Sequence, residues 1–370
     1  MSTNPLKRLG TFGQSIWLDY IRRDLMESGT LQQMIVEDGL RGMTSNPAIF
    51  EKAIGESHAY DPAIAALARQ GQTVQEIYET LSQGDVQAAA DVFLPLYQKT
   101  DGGDGYVSLE VNPHLARDTE GTLQEARRLW AALKRPNVLI KVPGTAEGLP
   151  AIRQLISEGI NVNVTLLFGL SRYWQVAEAY LAGIQARMDA GLAVKHVASV
   201  ASFFVSRIDT QVDPLLESFF PQGGKGALMA RELHGQVAVA SARLAYQNYK
   251  ELFGGARFQP MAEAGARPQR LLWASTGTKN PDYSDVKYLE ALIGPDTINT
   301  APLETLSAYR DHGDPKVRID HDMDVAGRVM GELLELGIRL DDVTGQLEAA
   351  GVEKFIQPFD QLMETLAHKP

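Results

Sequence analysis

The 370-residue chain contains no cysteine. That removes disulfides, thiolate metal sites and a cysteine nucleophile from consideration, and it fits a reducing compartment. Long apolar runs are missing as well, so no segment is expected to span a membrane. The stretch from Met1 to Gly10 lacks the apolar core of a signal peptide, which makes the expected location cytoplasmic. Positive charge is in short supply. A net charge of −11 argues against a nucleic-acid-binding surface and against an anionic membrane as partner. An anionic small molecule stays open, because a phosphate site needs only a local cluster of cations or amides. No Pro/Ser-rich linker and no internal repeat divides the chain.

What is present is ordinary globular material, with 44% hydrophobic and 22% charged residues. Apolar, strand-like runs recur near Ser15–Tyr20, Arg41–Asn46, Gly105–Val111, Asn137–Pro143, Asn161–Leu167, His196–Val205, Arg270–Thr276 and Asp296–Pro302. Helix-like stretches lie between them, such as Thr122–Lys134, Leu149–Ser157, Ser171–Ala190, Arg231–Phe253 and Tyr283–Ile293. This alternation is the βαβ signature of a parallel sheet. The expected fold class is α/β, a (β/α)8 TIM barrel with additional helices, including a helical C-terminal segment. Periodicity cannot show closure, so a doubly wound open sheet is the alternative. Residues 1–370 read as a single domain, with the barrel over roughly 12–313 and a helical tail over 314–370. The interval from Pro47 to Gly103 exceeds one helix and should carry extra ones, Asp85–Tyr97 among them.

The run from Asn137 to Val142 has one lysine inside it and is stopped by Pro143 and Gly144. Such runs are strands buried on both faces in parallel sheets. An ammonium there needs a partner or a depressed pKa, and a neutral amine in an apolar setting is the nucleophile of Schiff-base chemistry. A lysine snorkelling from an edge strand is the alternative for the run alone. Period-two reading of the neighbouring strands favours the first reading. Glu110 shares a face with Ser108 and Tyr106, Asn163 with Thr165, and Asp19 with Trp17, each opposite an apolar face. Where the apolar faces meet the barrel's helices, these polar sets point inward. A lysine, two carboxylates and amides on one interior supply a nucleophile, proton shuttles and hydroxyl binders.

Several motifs coincide in order: Thr44-Ser45-Asn46-Pro47, Val107–Val111 around Glu110, Ile140–Thr145 around Lys141, Asn161–Phe168, and Trp273–Asn280. Together they resemble the transaldolases in their longer bacterial form, over nearly the whole barrel from Asp19 to about Gly313. The resemblance implies a class I aldol mechanism without metal or cofactor. Lys141 would form an iminium with a ketose phosphate, Asp19 would take the C4 hydroxyl proton, and Glu110 with Thr165 would hold a proton-shuttling water. Asn46, Asn163 and Ser202 would bind the hydroxyls of the three-carbon unit left on Lys141. Phe204 falls where transaldolases carry Phe and the related fructose-6-phosphate aldolases carry Tyr, which points to transfer rather than release. Family members often have Pro and Gly where this chain has Phe203 and Ser206. Arg207 and Ser275 match phosphate-binding positions; Gly277 stands where shorter members have Arg, so Lys279 is the candidate for the second cation. A lysine that merely caps its turn is the alternative at Lys279. The implied partners are sedoheptulose 7-phosphate, fructose 6-phosphate, erythrose 4-phosphate and glyceraldehyde 3-phosphate, with the chain a monomer or homodimer. A fructose-6-phosphate aldolase-like enzyme and a non-catalytic sugar-phosphate-binding barrel are the alternatives.

Three other signals carry little. The stretch Pro221–Gly226 lacks Ser or Thr after Lys225, so it is no Walker A loop. Asp311, His312, Asp320, His321, Asp322 and Asp324 read as a solvated surface rather than a metal site. Asn163-Val164-Thr165 matches a glycosylation sequon but lies in an expected barrel strand.

Overall fold

The computed structural model describes residues 4–369. Eight parallel strands close into a barrel in sequence order. They are β1 (Gln14–Asp19), β2 (Gly42–Thr44), β3 (Tyr106–Glu110), β4 (Val138–Pro143), β5 (Val162–Leu167), β6 (Ser199–Phe204), β7 (Arg270–Ala274) and β8 (Thr297–Ala301). Closure is explicit in the register: β8 returns to pair with β1, Ile16 opposite Asn299 and Leu18 opposite Ala301. The open doubly wound alternative is thereby removed.

The strands form where the apolar runs lie because both faces are covered. On β4, Val138, Ile140 and Val142 are fully buried on the outward face, and Leu139 and Lys141 are buried within. Bulky rings occupy the barrel's middle: Trp17 is fully buried and stacks on Tyr106 with centroids 6.5 Å apart. Gly42 makes room for that indole, since a Cβ there would stand 2.4 Å from a Trp17 ring atom. This plug separates a space at the strand starts from one at the C-terminal rim, where barrel enzymes bind their ligands.

The additional helices fall where the long interval required them. Between β2 and β3 the chain forms Pro47–Phe50, Asp61–Arg69 and the long helix Val74–Lys99. The last begins with a capping box in which Thr73 and Glu76 bond reciprocally to each other's backbone N–H. The tail forms Met323–Glu335 and Leu340–His368. The final helix packs on Pro47–Phe50, on Val74–Lys99 and on β5. It buries Phe355, Phe359, Leu362 and Leu366, each contributing about 1.5–3 kcal/mol. Its end is tied down by Lys369 Nζ, which donates to the Ile54 and Ser57 carbonyls at 2.9 Å and to Asp61 at 2.8 Å.

Two helix expectations need correction. The stretch Arg231–Phe253 is not one helix: Gly224–Leu233 stops, and Val237–Gly254 begins anew. Gly235 sits between them at φ +71°, and the freed N–H groups of Gly235 and Ala238 are taken by Asp213 and Asp209 at 2.9 and 2.7 Å. Two carboxylates thus stabilise a break that helical periodicity alone cannot reveal. The second, Tyr283–Ile293, is helical only over Lys287–Ala291, because its first residues belong to the loop that follows β7. Among the described residues no helix is long and apolar enough to cross a membrane.

Candidate active site

The register brings the first group of polar residues into one layer. Glu110 on β3 pairs with Lys141 on β4, and Lys141 pairs with Asn163 on β5. Lys141 is 5% exposed. Its Nζ donates to the Ser45 carbonyl at 2.9 Å and lies 3.4 Å from Glu110 Oε2. Across the barrel, Asp19 ends β1 beside Thr44, whose hydroxyl donates to Asp19 Oδ1 at 2.7 Å. Asn163 is held from both sides, donating to Ser108 Oγ at 3.0 Å and accepting from Ser202 Oγ at 2.7 Å.

Burial sets the proton affinities. It pushes the Glu110 carboxyl up to about 7, against the opposing pull of the Lys141 charge. Asp19 is raised above the ordinary carboxylate range by the same desolvation, again opposed by Lys141 and by the Thr44 hydrogen bond. Both oxygens of Glu110 and the hydroxyl of Thr165 are buried without a hydrogen-bond partner. Orphaned polar atoms are uncommon in native cores. Here one of them, Glu110 Oε2, stands 3.4 Å from the Lys141 amine, and Thr165 lines the same pocket as that amine. The strand β5 contributes to this, because its register with β6 shifts between Val164 and Leu167 and Leu166 adopts φ +61°. Such irregularities re-aim side chains beside functional sites.

A pocket of ≈ 210 Å³ opens above this layer. Asp19, Asn46, Lys141, Thr165, Ser202, Phe204, Arg207, Ser275 and Lys279 all line it. Glu110 and Asn163 do not; they sit behind the wall, in contact with Lys141 and Ser202 respectively. Asn46 also caps the Pro47–Phe50 helix, accepting from Ile49 N at 3.0 Å through its oxygen, which turns its amide N–H groups toward other partners. Phe204 packs on Phe168, centroids 5.0 Å apart.

The far end of the pocket is cationic. Arg207, on the first turn of Ser206–Glu217, lies over the Phe204 ring at 5.3 Å. Burial lowers its pKa, so the charged guanidinium is poorly solvated where it stands. Neither Arg207 nor Lys279 has a carboxylate within ion-pair distance among the described residues. Ser275 adopts φ +54° and shares a hydrogen bond with Ser206 at 3.0 Å. Two cations without ion pairs and a serine in the left-handed region thus stand together along the pocket wall, groups whose chemistry suits an anion.

The sequence reading missed Phe355, Thr44, Thr300 and Glu304, which also line the pocket. Thr44 lay inside a motif already singled out. Phe355 gave no such signal: it comes from the final helix, and its ring stands 5.8 Å from Lys141 Nζ. Lys225 pairs with Glu335 on the surface, and His312 pairs with Asp285 and Asp311, all remote from the pocket.

Residues 16–366 match the family model described as transaldolase/fructose-6-phosphate aldolase. A protein named transaldolase from Trichodesmium erythraeum is 47% identical, the match covering 100% of this chain and 98% of that one. Another of that name from Thiobacillus denitrificans is 48% identical over 97% of this chain and 99% of its own. The Mycobacterium tuberculosis protein of the same name is 46% identical, over 99% and 97%.

Proposed function

The chain belongs to the transaldolase/fructose-6-phosphate aldolase family, and on that premise we propose that it is a transaldolase of the non-oxidative pentose phosphate pathway. It transfers a dihydroxyacetone unit reversibly from sedoheptulose 7-phosphate to glyceraldehyde 3-phosphate, giving erythrose 4-phosphate and fructose 6-phosphate. The observation that carries this reading is a buried amine, Lys141, beside a carboxyl that titrates near neutrality, in a pocket with a cationic far end.

The chemistry follows from the geometry. Lys141 attacks the C2 carbonyl of the ketose phosphate, whose phosphate lies toward Arg207, Ser275 and Lys279. Glu110, protonated in part at neutral pH, delivers a proton to the carbinolamine hydroxyl through a water held with the Thr165 hydroxyl. Water leaves and the iminium forms. The iminium is the electron sink, so the reading needs no metal or cofactor. Asp19 accepts the C4 hydroxyl proton as the C3–C4 bond breaks; its raised pKa makes it a stronger base than an exposed aspartate. Asn46 and Ser202 hold the hydroxyls of the enamine that remains, and Asn163, behind the pocket wall, fixes Ser202 by accepting its hydroxyl hydrogen. Phe204 and Phe355 keep water from it while it awaits the acceptor. The same reading treats the chain as one domain, because the tail supplies Phe355 to the barrel's pocket.

Borohydride added with fructose 6-phosphate should leave a reduced three-carbon adduct on Lys141, identified by peptide mass. No adduct, or one on another lysine, sinks the mechanism and leaves the binding-barrel alternative. The aldolase alternative is separated by dihydroxyacetone released without an acceptor. The apolar Phe204–Phe168 pair, which offers no hydroxyl to place a proton donor, favours negligible release.

A further inference from the structure

Behind Glu110 lies a second, much smaller cavity of ≈ 20 Å³, lined by Gln75, Tyr78, Ser82, Glu110, Glu125 and Phe359 among others. That is room for one water. Glu110 therefore stands between two spaces. Its partner Lys141 lines the substrate pocket, whereas Glu110 lines the smaller one. Glu110 is 8% exposed, and its two carboxylate oxygens are buried with no hydrogen-bond partner.

The wall opposite Glu110 is built around Tyr78. Its ring is clamped edge-on by Phe50 at 6.1 Å and Phe359 at 5.4 Å. Its hydroxyl is held well above the ordinary tyrosine range by burial, and next by the nearby Glu110 charge. Farther out stand Glu79 and Glu125, both bonded to Arg128 at 2.6 and 2.8 Å at the half-exposed end of the cavity. Glu110 is thus joined toward solvent by a small polar-lined space that does not pass through the substrate pocket.

Schiff-base transfer gives such a space a purpose. In the donor half-reaction Glu110 gives up a proton as the carbinolamine C–O bond breaks and water departs. In the acceptor half-reaction water adds back to the iminium and a proton returns. Between the two, the pocket holds the enamine and must admit an acceptor. We propose that the rear cavity is a proton route: one water bridges Glu110 and the Tyr78 hydroxyl, and Tyr78 is the positioning residue that holds it. A proton from bulk water passes along that bridge to the Glu110 carboxylate, restoring the acid, and travels outward when iminium hydration has protonated Glu110. The proposal rests on the Schiff-base reading above.

The test is the pre-steady-state rate of iminium formation, read by borohydride trapping in light and heavy water. Tyr78→Phe keeps the clamped ring and deletes the hydroxyl. Trapping should slow on the order of tenfold, less than loss of an acid–base group itself. The solvent isotope effect should grow, imidazole buffer should restore the rate, and KM for the acceptor should not move. Ser82→Val, which fills the cavity from another side, should reproduce the isotope effect, and it decides the matter if Tyr78→Phe does not fold. Wild-type rates and isotope effects in a folded variant overturn the proposal. A slowed Tyr78→Phe that buffer cannot rescue assigns the hydroxyl a merely structural role and overturns it too. Absence of any adduct in the unmodified protein instead removes the Schiff-base reading beneath it.

Discussion

The barrel carries cavities of similar size at its two ends, ≈ 210 Å³ around Lys141 and ≈ 190 Å³ at the strand starts. Polar side chains stand at or near both, yet the groups are used differently. At the lower end they are spent on each other. Arg270 donates to Ser15, the Gly103 carbonyl and Asp104 at 3.2, 3.1 and 3.0 Å, while Ser15 donates to Asp104 at 2.7 Å. Asn161 bonds the Pro136 and Val138 carbonyls and accepts from Ala198 N. At the upper end the buried Thr165 hydroxyl has no hydrogen-bond partner, Glu110 has the Lys141 amine 3.4 Å away and no closer partner, and Arg207 makes no ion pair among the described residues. Burying a polar group is tolerable when it is satisfied and costly when it is not. The lower layer holds strands in register; the upper layer carries an unsatisfied cost that a substrate and its water can relieve. Cavity size does not distinguish the two ends. Hydrogen-bond satisfaction does.

This contrast can be broken at several points. The largest effect is expected at Asp19→Asn, which keeps the shape and removes the base. Aldol cleavage should fall by roughly 10²–10⁴, while borohydride still traps the donor ketose on Lys141; normal turnover would deprive Asp19 of its role. At the opposite end, Arg270→Ala should leave kcat alone but lower the unfolding free energy by roughly 1–3 kcal/mol, because Asp104 loses one of two guanidinium partners and keeps only Arg41. Equal stability in denaturant titration would mean the lower network holds nothing. Thr165→Ala is its mirror image. Stability should change by less than about 1 kcal/mol, since no bond is lost, while iminium formation slows; a large stability loss would place Thr165 with the lower layer.

A last effect is a pH slope. The folded carboxyl of Glu110 titrates at about 7 rather than 4.5. Between those values the folded protein binds more protons than the unfolded chain. Stability therefore falls as pH rises through the window, and the loss is complete above about 7. Glu110→Gln removes the titration, so its stability relative to the parent should improve from pH 5 to pH 8. A gap between the two proteins that does not change with pH would contradict the raised pKa.

Much of this is legible in the sequence alone. Period-two alternation assigned Asp19, Glu110, Lys141, Asn163 and Thr165 to one interior, because side chains in a strand alternate whatever surrounds them. The eight strands were placed within a few residues, since covered parallel strands write continuous apolar runs. Helix ends read less well. The break at Gly235 depends on Asp209 and Asp213 from a different helix, and no local pattern encodes that. Phe355 was invisible for a similar reason: apolar spacing marks a buried helix face but not what it is buried against.

The sequence by itself determined the chemistry available: an amine, two carboxylates and their hydroxyl-bearing neighbours, on strands whose faces alternation fixes. Only the tertiary structure decided which of them were left unsatisfied. Closing the barrel set Glu110 against Lys141, and folding the tail across the mouth brought Phe355 within 5.8 Å of the amine. It also opened the small space behind Glu110. Satisfaction of a hydrogen bond is a property of pairs distant in the chain, so it exists only once the fold has brought them together.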